Sequence, residues 1–169
     1  MSLERQRLPP GFAGNLADSF VKARRDLGRS DPHVLAGNAE AEYRAISQER
    51  GEFRAPFFGE MHRLLFPDAT VWREDSPASP VVHILLLHYL LTADGTLPSG
   101  EWVPFRQVPN AFPYDQAFTQ RAIVPLARTF GQDLEAFRRA ARAAGGETAR
   151  TADASFYFRV LPHLPMLVQ

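Results

Sequence analysis

Residues Pro80–Gly95, PVVHILLLHYLLTADG, carry the strongest structural signal in the chain. Ser79 and Pro80 are typical of a helix N-cap and a first helical position, and Gly95 is a typical stop signal. They predict a helix from about Pro80 to Ala93. Such a helix rises about 21 Å, which is short of the roughly 30 Å hydrocarbon core of a bilayer. The stretch therefore predicts a buried helix and not a membrane span.

Two histidines interrupt this apolar stretch. Nine of the eleven residues from Val81 to Leu91 are apolar, which is typical of a helix covered on several sides. His83 and His88 are five residues apart, so their side chains lie about 140° apart around the helix axis. That angle disfavours a metal ion held by both. We expect one histidine near the exposed first turn and the other hydrogen-bonded within or at the edge of the core; a functional role for His88 alone is the alternative.

The remaining patterns predict further helices and a set of short strands. Between Glu42 and Glu74, short runs rich in aromatic and branched residues are separated by turn signals, which predicts a meander of three or four antiparallel strands. Phe53, Ala55 and Phe57 are expected to share one face of the second strand. Two more strands, SFYFRVL and LPMLVQ, are expected near the C-terminus. Other helices are predicted at residues 15–28, capped by Asn15; at 31–37, capped by Asp31; at 114–130, kinked or broken by Pro125; and at 133–145, capped by Asp133.

Length and patterning together predict the fold class. A chain of 169 residues is the size of one ordinary domain with one core. We expect a single α+β domain over residues 1–169, in which an antiparallel sheet packs against the central buried helix and the other helices cover it. The strand LPMLVQ is apolar and uncharged, so we expect it either to lie inside the sheet or to pair with a second copy in a homodimer.

Composition restricts the classes of function. The 19 basic residues balance the 19 acidic ones, so no global field draws the protein to nucleic acid or an anionic membrane. The absence of cysteine excludes disulfides, thiol nucleophiles and cysteine-ligated metal sites within this chain. No two of the five histidines have a recognised ligand spacing, and no phosphate-binding loop or serine nucleophile motif is present. The charged N-terminus lacks the apolar core of a secretion signal, so a cytoplasmic location is expected.

The segment from Trp102 to Arg121 combines two arginines with aromatic rings. Guanidinium groups can hold a carboxylate or phosphate, and the rings can stack on an apolar ring system. The predicted ligand-binding residues are Trp102, Phe105, Arg106, Tyr114 and Arg121, with a small anionic molecule as the ligand. In the alternative interpretation, Trp102 and Phe105 anchor a proline-rich loop to the core, and the arginines pair with Asp115 or bond to loop carbonyls.

Several stretches together resemble one family. They are LLLHYLL, SGEWVPFRQV, the spaced Tyr114–Phe130 pattern and DASFYFRVLPHLPMLV. They are similar to an uncharacterised domain-of-unknown-function family found mainly in anaerobic bacteria and archaea. Some relatives carry an added cysteine-rich iron–sulfur module, which implies a link to corrinoid or one-carbon metabolism. This chain departs from that arrangement because it has no cysteine, and the family pattern implies a further segment after Gln169.

Two hypotheses of function follow. The first is a non-catalytic accessory domain that binds a small anionic molecule or a protein partner. The second is a small enzyme whose acid and base meet only in the folded chain, with His88, Tyr114 and Asp153 as candidate participants. The sequence identifies no cofactor.

Overall fold

The structure is a computed structural model that describes residues 8–9 and 11–169. The helices are α1 Gly14–Leu27, α2 Pro32–Asn38, α3 Pro80–Thr92, α4 Asp115–Phe118, α5 Val124–Phe130 and α6 Leu134–Ala143. The strands are β1 Glu42–Ala45, β2 Gly51–Phe57, β3 Glu60–Phe66, β4 Val71–Arg73, β5 Ser76–Pro77, β6 Glu147–Thr148, β7 Phe156–Leu161 and β8 Leu164–Val168. Helices and antiparallel strands confirm the predicted α+β class. None of the helices in this described part of the chain has the length and apolar character needed to cross a bilayer.

The chain divides into two compact units. Unit 1 contains the residues up to Leu97 together with Val160–His163, and unit 2 contains Pro98–Arg159 and Leu164–Gln169. Two compact units can belong to one domain, so the single domain over residues 1–169 stays a prediction.

In unit 1, strands β1 to β5 form an antiparallel meander in sequence order. Phe53 in β2 lies opposite Tyr43 in β1 and Leu64 in β3. Because side chains alternate along a strand, Phe53 and Ala55 are buried on one face and Phe57 is half-buried on the same side, as predicted. The short β5 pairs with β4 and makes five strands where three or four were predicted.

Helix α3 buries one face and exposes another. Ser79 caps it by accepting a hydrogen bond from the Val82 N–H, as predicted. Four residues lie within about 100° on the buried side: His83, Leu86, Leu87 and Leu90. Val81 is 62% exposed, and Leu85 and His88 are also exposed; the three lie within about 60° of one another. The helix is therefore covered on fewer sides than its uniform hydrophobicity indicates.

The two histidines of α3 lie in different environments. His83 is only 2% exposed, and its Nε2–H donates to the carbonyl of Ala69. The rings of Phe12 and Phe20 approach it edge-on at 5.2 and 5.3 Å between centroids. As expected, one histidine is buried and the other is exposed. The expectation that the first-turn histidine is the exposed one is wrong, because Phe20 of α1 covers His83 in the first turn of α3. His88 lies on the uncovered face.

Side-chain caps begin two of the remaining helices as predicted. The Asp31 carboxylate accepts from the N–H groups of His33 and Val34 at the start of α2. The Asp133 carboxylate accepts from the Ala136 N–H at 2.8 Å at the start of α6. The predicted Asn15 cap is wrong, because α1 already begins at Gly14, with the apolar Ala13 as its N-cap residue.

Pro125 does not break the helix in which it lies. Between α4 and α5, residues Thr119–Ile123 form a π-helical turn, in which the Val124 N–H bonds to the Thr119 carbonyl five residues back. The missing N–H of Pro125 leaves the Arg121 carbonyl without its α-helical partner, and the wider turn accommodates this. The backbone of Phe118, Thr119, Ile123 and Val124 stays helical.

Unit 2 contains α6, β6, β8 and the first four residues of β7, Phe156–Arg159. The Phe137 ring of α6 meets the Phe156 ring of β7 at 5.5 Å, and the Arg138 guanidinium donates to the Asp153 carbonyl at 2.6 Å. Strand β8 lies at the edge of the β6–β7–β8 sheet in the described chain. The expectation that it lies inside the sheet is therefore wrong, and its pairing with a second copy stays a prediction.

Candidate functional site

Residues Trp102–Ile123 of unit 2, the 102–123 segment, contain all five predicted ligand-binding residues. One of its ring contacts lies within the segment and another joins it to β7. The Phe105 ring stacks on Phe118 of α4, with 4.1 Å between centroids and 15° between planes. The Trp102 ring meets Tyr157 of β7 edge-on at 5.9 Å. The Trp102 contact agrees with the anchoring role that the alternative interpretation gave to this residue, whereas the Phe105 contact stays within the segment.

Most of the large apolar side chains in this segment remain exposed. Phe112 and Tyr114 flank Pro113 in a short 3-10 helix and are 75% and 65% exposed, and even the anchored Trp102 is 49% exposed. The exposed apolar residues of the segment are Trp102, Val103, Val108, Phe112, Tyr114 and Ile123. Other described residues therefore leave six large apolar side chains of this segment largely open to solvent.

The two arginines of the segment are exposed and unpaired. Arg106 lies in the 3-10 helix Phe105–Gln107, and Arg121 lies in the π-helical turn. Neither guanidinium makes a hydrogen bond or ion pair with any residue that the structure describes. The alternative pairing with Asp115 or with loop carbonyls is thus not formed among these residues. Both guanidinium groups are free to meet an anionic group on a partner.

Among the residues that the structure describes, no contact brings the five predicted residues together into a clamp. Arg106, Tyr114 and Arg121 are exposed and Trp102 is half-exposed, while Phe105 faces Phe118. Within the described chain, no ring contact, hydrogen bond or ion pair joins any two of the five. A small molecule bound here would keep much of its surface in water, whereas most small-molecule sites bury the greater part of their ligand.

The predicted acid–base residues belong to different units. His88 lies on the exposed face of α3 in unit 1, whereas Tyr114 and Asp153 belong to unit 2. Asp153 is exposed, and its backbone carbonyl accepts from Arg138. No hydrogen bond or ion pair between His88, Tyr114 and Asp153 occurs among the residues described.

Unit 1 contains an acid–base cluster that the sequence did not reveal. The Tyr89 hydroxyl of α3 donates to the Ala39 carbonyl at 3.0 Å and accepts from the backbone N–H of His163 at 3.2 Å. The His163 Nε2 lies 3.4 Å from a carboxylate oxygen of Glu40. This nitrogen is buried and has no hydrogen-bond partner among the described residues. Its distance from Glu40 is that of an ion pair, but the two groups do not form a hydrogen bond.

The cluster joins a buried side chain to an exposed one. The His163 side chain is 10% exposed and that of Glu40 is 57% exposed, so the carboxylate connects a buried imidazole to solvent. Burial raises the pKa of the Tyr89 phenol, opposed by the hydrogen bond from the His163 N–H. The hydrogen bond from the Thr96 N–H lowers the pKa of Asp94, and the nearby His163 adds a smaller effect in the same direction. Glu40, Tyr89 and His163 are far apart in sequence, so no spacing pattern could have identified them.

Over residues 8–9 and 11–169, no three histidine, aspartate or glutamate side chains are grouped so as to hold a metal ion.

A family model described as "Domain of unknown function (DUF3786)" matches residues 31–169. The chain belongs to this family. The DUF3786 match begins at the Asp31 cap of α2 and continues through β8, so it includes the 102–123 segment and the His163 cluster, whereas α1 precedes it. No curated protein and no solved structure shows significant similarity to the chain. The family description assigns no activity, so function must be argued from the residues.

Proposed function

We propose that this DUF3786 protein is a non-catalytic accessory domain that binds a protein partner through the 102–123 segment. The proposal rests on the exposure of the Phe112 and Tyr114 rings. Along the chain these two residues lie between Arg106 and Arg121, whose guanidinium groups are unpaired among the described residues. Trp, Tyr, Phe and Arg are the residue types enriched in protein interfaces and among the side chains that contribute most to binding energy.

The degree of exposure favours a protein over the small anionic molecule predicted from sequence. The apolar side chains are spread over 22 residues, from Trp102 to Ile123, and a protein surface can cover several of them at once. The partner surface should be apolar, with acidic groups opposite Arg106 and Arg121, because a guanidinium desolvated without an anion would weaken binding. Because the family resemblance implies a link to corrinoid or one-carbon metabolism, we expect the partner to be an enzyme of that metabolism.

The proposal predicts position-specific crosslinking in the native host. A photoreactive phenylalanine analogue placed at Phe112 or Tyr114 should give one defined adduct, identified by mass spectrometry. With the purified partner, Phe112→Ser and Arg121→Glu should each weaken binding at least about tenfold, because central aromatic and arginine residues typically contribute 2 kcal/mol or more.

Val34 provides the matched control for this experiment. It is 56% exposed on α2 and outside the 102–123 segment, so the same analogue at Val34 should give no such adduct. Equal adducts from both positions would contradict the proposal. Native mass spectrometry that shows a retained small molecule, lost in Arg106→Ala, would favour the small-ligand alternative.

We also propose that β8 pairs with β8 of a second copy. Its support is the position of β8 at the edge of its sheet and the exposure of Leu164 and Met166. The strand carries no charge that would oppose pairing. Pro165 lacks an N–H, which limits the number of main-chain hydrogen bonds that the pair can form.

The homodimer predicts a mass that depends on concentration. Size-exclusion chromatography with light scattering should show wild type shifting towards dimer as concentration rises, and Met166→Lys should remain monomeric, because a charge at an edge strand opposes pairing. Val34→Lys, an exposed substitution on α2, should behave as wild type. A wild-type monomer at every concentration would disprove the pairing.

The second candidate function, a small enzyme, has one observation in its favour. The His163–Glu40 contact is an acid–base pair of the kind that general acid–base catalysis uses. This alternative therefore depends on His163 in place of His88, Tyr114 and Asp153, which no described contact joins. Turnover abolished by His163→Ala, with partner binding intact, would favour it over the binding function.

A further inference from the structure

Strand β8 has a methionine at its centre. Met166 is the third of the five residues Leu164–Val168, and it is 40% exposed. In the described chain, β8 lies at the edge of its sheet, next to β7. Because side chains alternate along a strand, Met166 lies on the same face as Leu164, which is 52% exposed. The Met166 side chain is therefore open to reagents in solution.

Methionine is the only sulfur-containing residue type in this protein. The chain has three methionines and no cysteine, so thiol oxidation cannot occur. Met1 lies outside the described residues. Met61 is 49% exposed in β3, but β3 lies between β2 and β4 and not at an edge. Among the residues that the structure describes, Met166 is thus the one sulfur on an edge strand.

Pairing of β8 with its own copy places Met166 opposite itself. When two copies of a strand pair antiparallel about a two-fold axis with full overlap, the first residue of one lies opposite the last residue of the other. The middle residue then lies opposite its own counterpart, with about 4.5–5.5 Å between the two Cβ atoms. In β8 that residue is Met166, so one chemical change in the chain alters the centre of the pair twice.

We propose that Met166 is a redox modification site, at which a peroxide controls the pairing of β8 with a second copy. This inference rests on the β8 pairing proposed above. The Met166 sulfur attacks one oxygen of the peroxide, the O–O bond breaks and an S–O bond forms. With hydrogen peroxide, the second oxygen leaves as water and carries both protons. The sulfur loses two electrons, and the peroxide is reduced by the same two.

The sulfoxide disfavours the pair because it is polar. A thioether is apolar and flexible, so two of them pack well against each other. Oxidation converts this side chain into a polar one that disrupts methionine contacts. Pairing then takes water away from two opposed sulfoxide oxygens, and neither oxygen can donate a hydrogen bond to the other. The oxidised chain is therefore expected to remain monomeric.

Treatment of the full chain with hydrogen peroxide tests the proposal. Peptide mass spectrometry should locate one added oxygen at Met166. Size-exclusion chromatography with light scattering should show that the dissociation constant of the dimer rises at least about tenfold, because two polar groups lose water at the centre of the pair. Methionine sulfoxide reductases for both sulfoxide epimers should restore the dimer.

The two described methionines provide matched variants. Met61→Leu should respond to peroxide as the wild type does. Met166→Leu cannot form a sulfoxide, so its treated and untreated samples should have the same dissociation constant as each other. Met166→Gln places a polar, uncharged side chain at the centre of the strand and should weaken pairing without peroxide, whereas Met61→Gln should not.

The outcomes separate this proposal from the pairing on which it rests. A wild-type dimer that persists after complete oxidation of Met166 would overturn the proposal and leave the β8 pairing standing. A Met166 that peroxide does not oxidise in the folded protein would also overturn it. A wild type that is monomeric at every concentration before treatment would disprove the pairing itself, and this proposal with it.

Discussion

Phe53→Ala should lower the free energy of unfolding by about 3–5 kcal/mol, the usual cost of removing a buried phenylalanine. Phe53 is fully buried in β2, its ring lies 4.9 Å from that of Tyr43, and it faces Leu64 across the sheet. The truncation leaves a cavity that neighbouring strands, fixed by their hydrogen bonds, cannot close. Denaturant titration followed by circular dichroism measures the loss.

Phe112→Ala is the matched control for this prediction. It removes the same atoms from a ring that is 75% exposed, so the free energy of unfolding should change by no more than about 0.5 kcal/mol. A comparable loss in both variants would show that Phe112 packs in the folded protein, and would weaken the case for the 102–123 segment as an interaction surface.

The stability of the protein should fall as pH falls below about 6.5, through His83. Burial lowers the pKa of His83 in the folded protein, and the hydrogen bond to the Ala69 carbonyl only partly offsets this. In the unfolded chain the pKa returns to about 6.5, so below that pH the unfolded state binds more protons. The free energy of unfolding then decreases by up to about 1.4 kcal/mol per pH unit until the folded pKa is reached.

Denaturant titrations at a series of pH values measure this slope. His83→Gln cannot titrate, so its stability should be less dependent on pH between 6.5 and 5 than that of the wild type. His88→Gln is the control, because His88 is exposed on the same helix and should retain the wild-type slope. An unchanged slope in His83→Gln would contradict the burial of a neutral imidazole.

Signals that depend on neighbouring residues predicted local structure well. The Ser79, Asp31 and Asp133 caps each form hydrogen bonds to the first turn of their helices, because a cap needs only residues two or three positions away. Alternation along β2 likewise predicted which residues share the buried face. Pro125 was harder to predict, because its effect depends on whether the helix can rearrange its hydrogen bonds into a π-helical turn.

Contacts between distant parts of the chain could not be predicted in this way. The sequence of α3 is apolar nearly all round, so it could not indicate that α1 covers His83 while Val81, Leu85 and His88 stay exposed. The Glu40, Tyr89 and His163 cluster joins α3, the loop between α2 and β1, and the β7–β8 turn.

The sequence by itself determined the α+β class, most helix boundaries and the strand periodicity, because these follow from propensities, caps and patterns within a few residues. It also identified the aromatic and arginine content of the 102–123 segment. Only the tertiary structure decided that Phe112 and Tyr114 project outward while Phe105 stacks on Phe118. It also brought His163 to Glu40. Burial and proximity are properties of the packed chain, and one linear pattern is compatible with many packings.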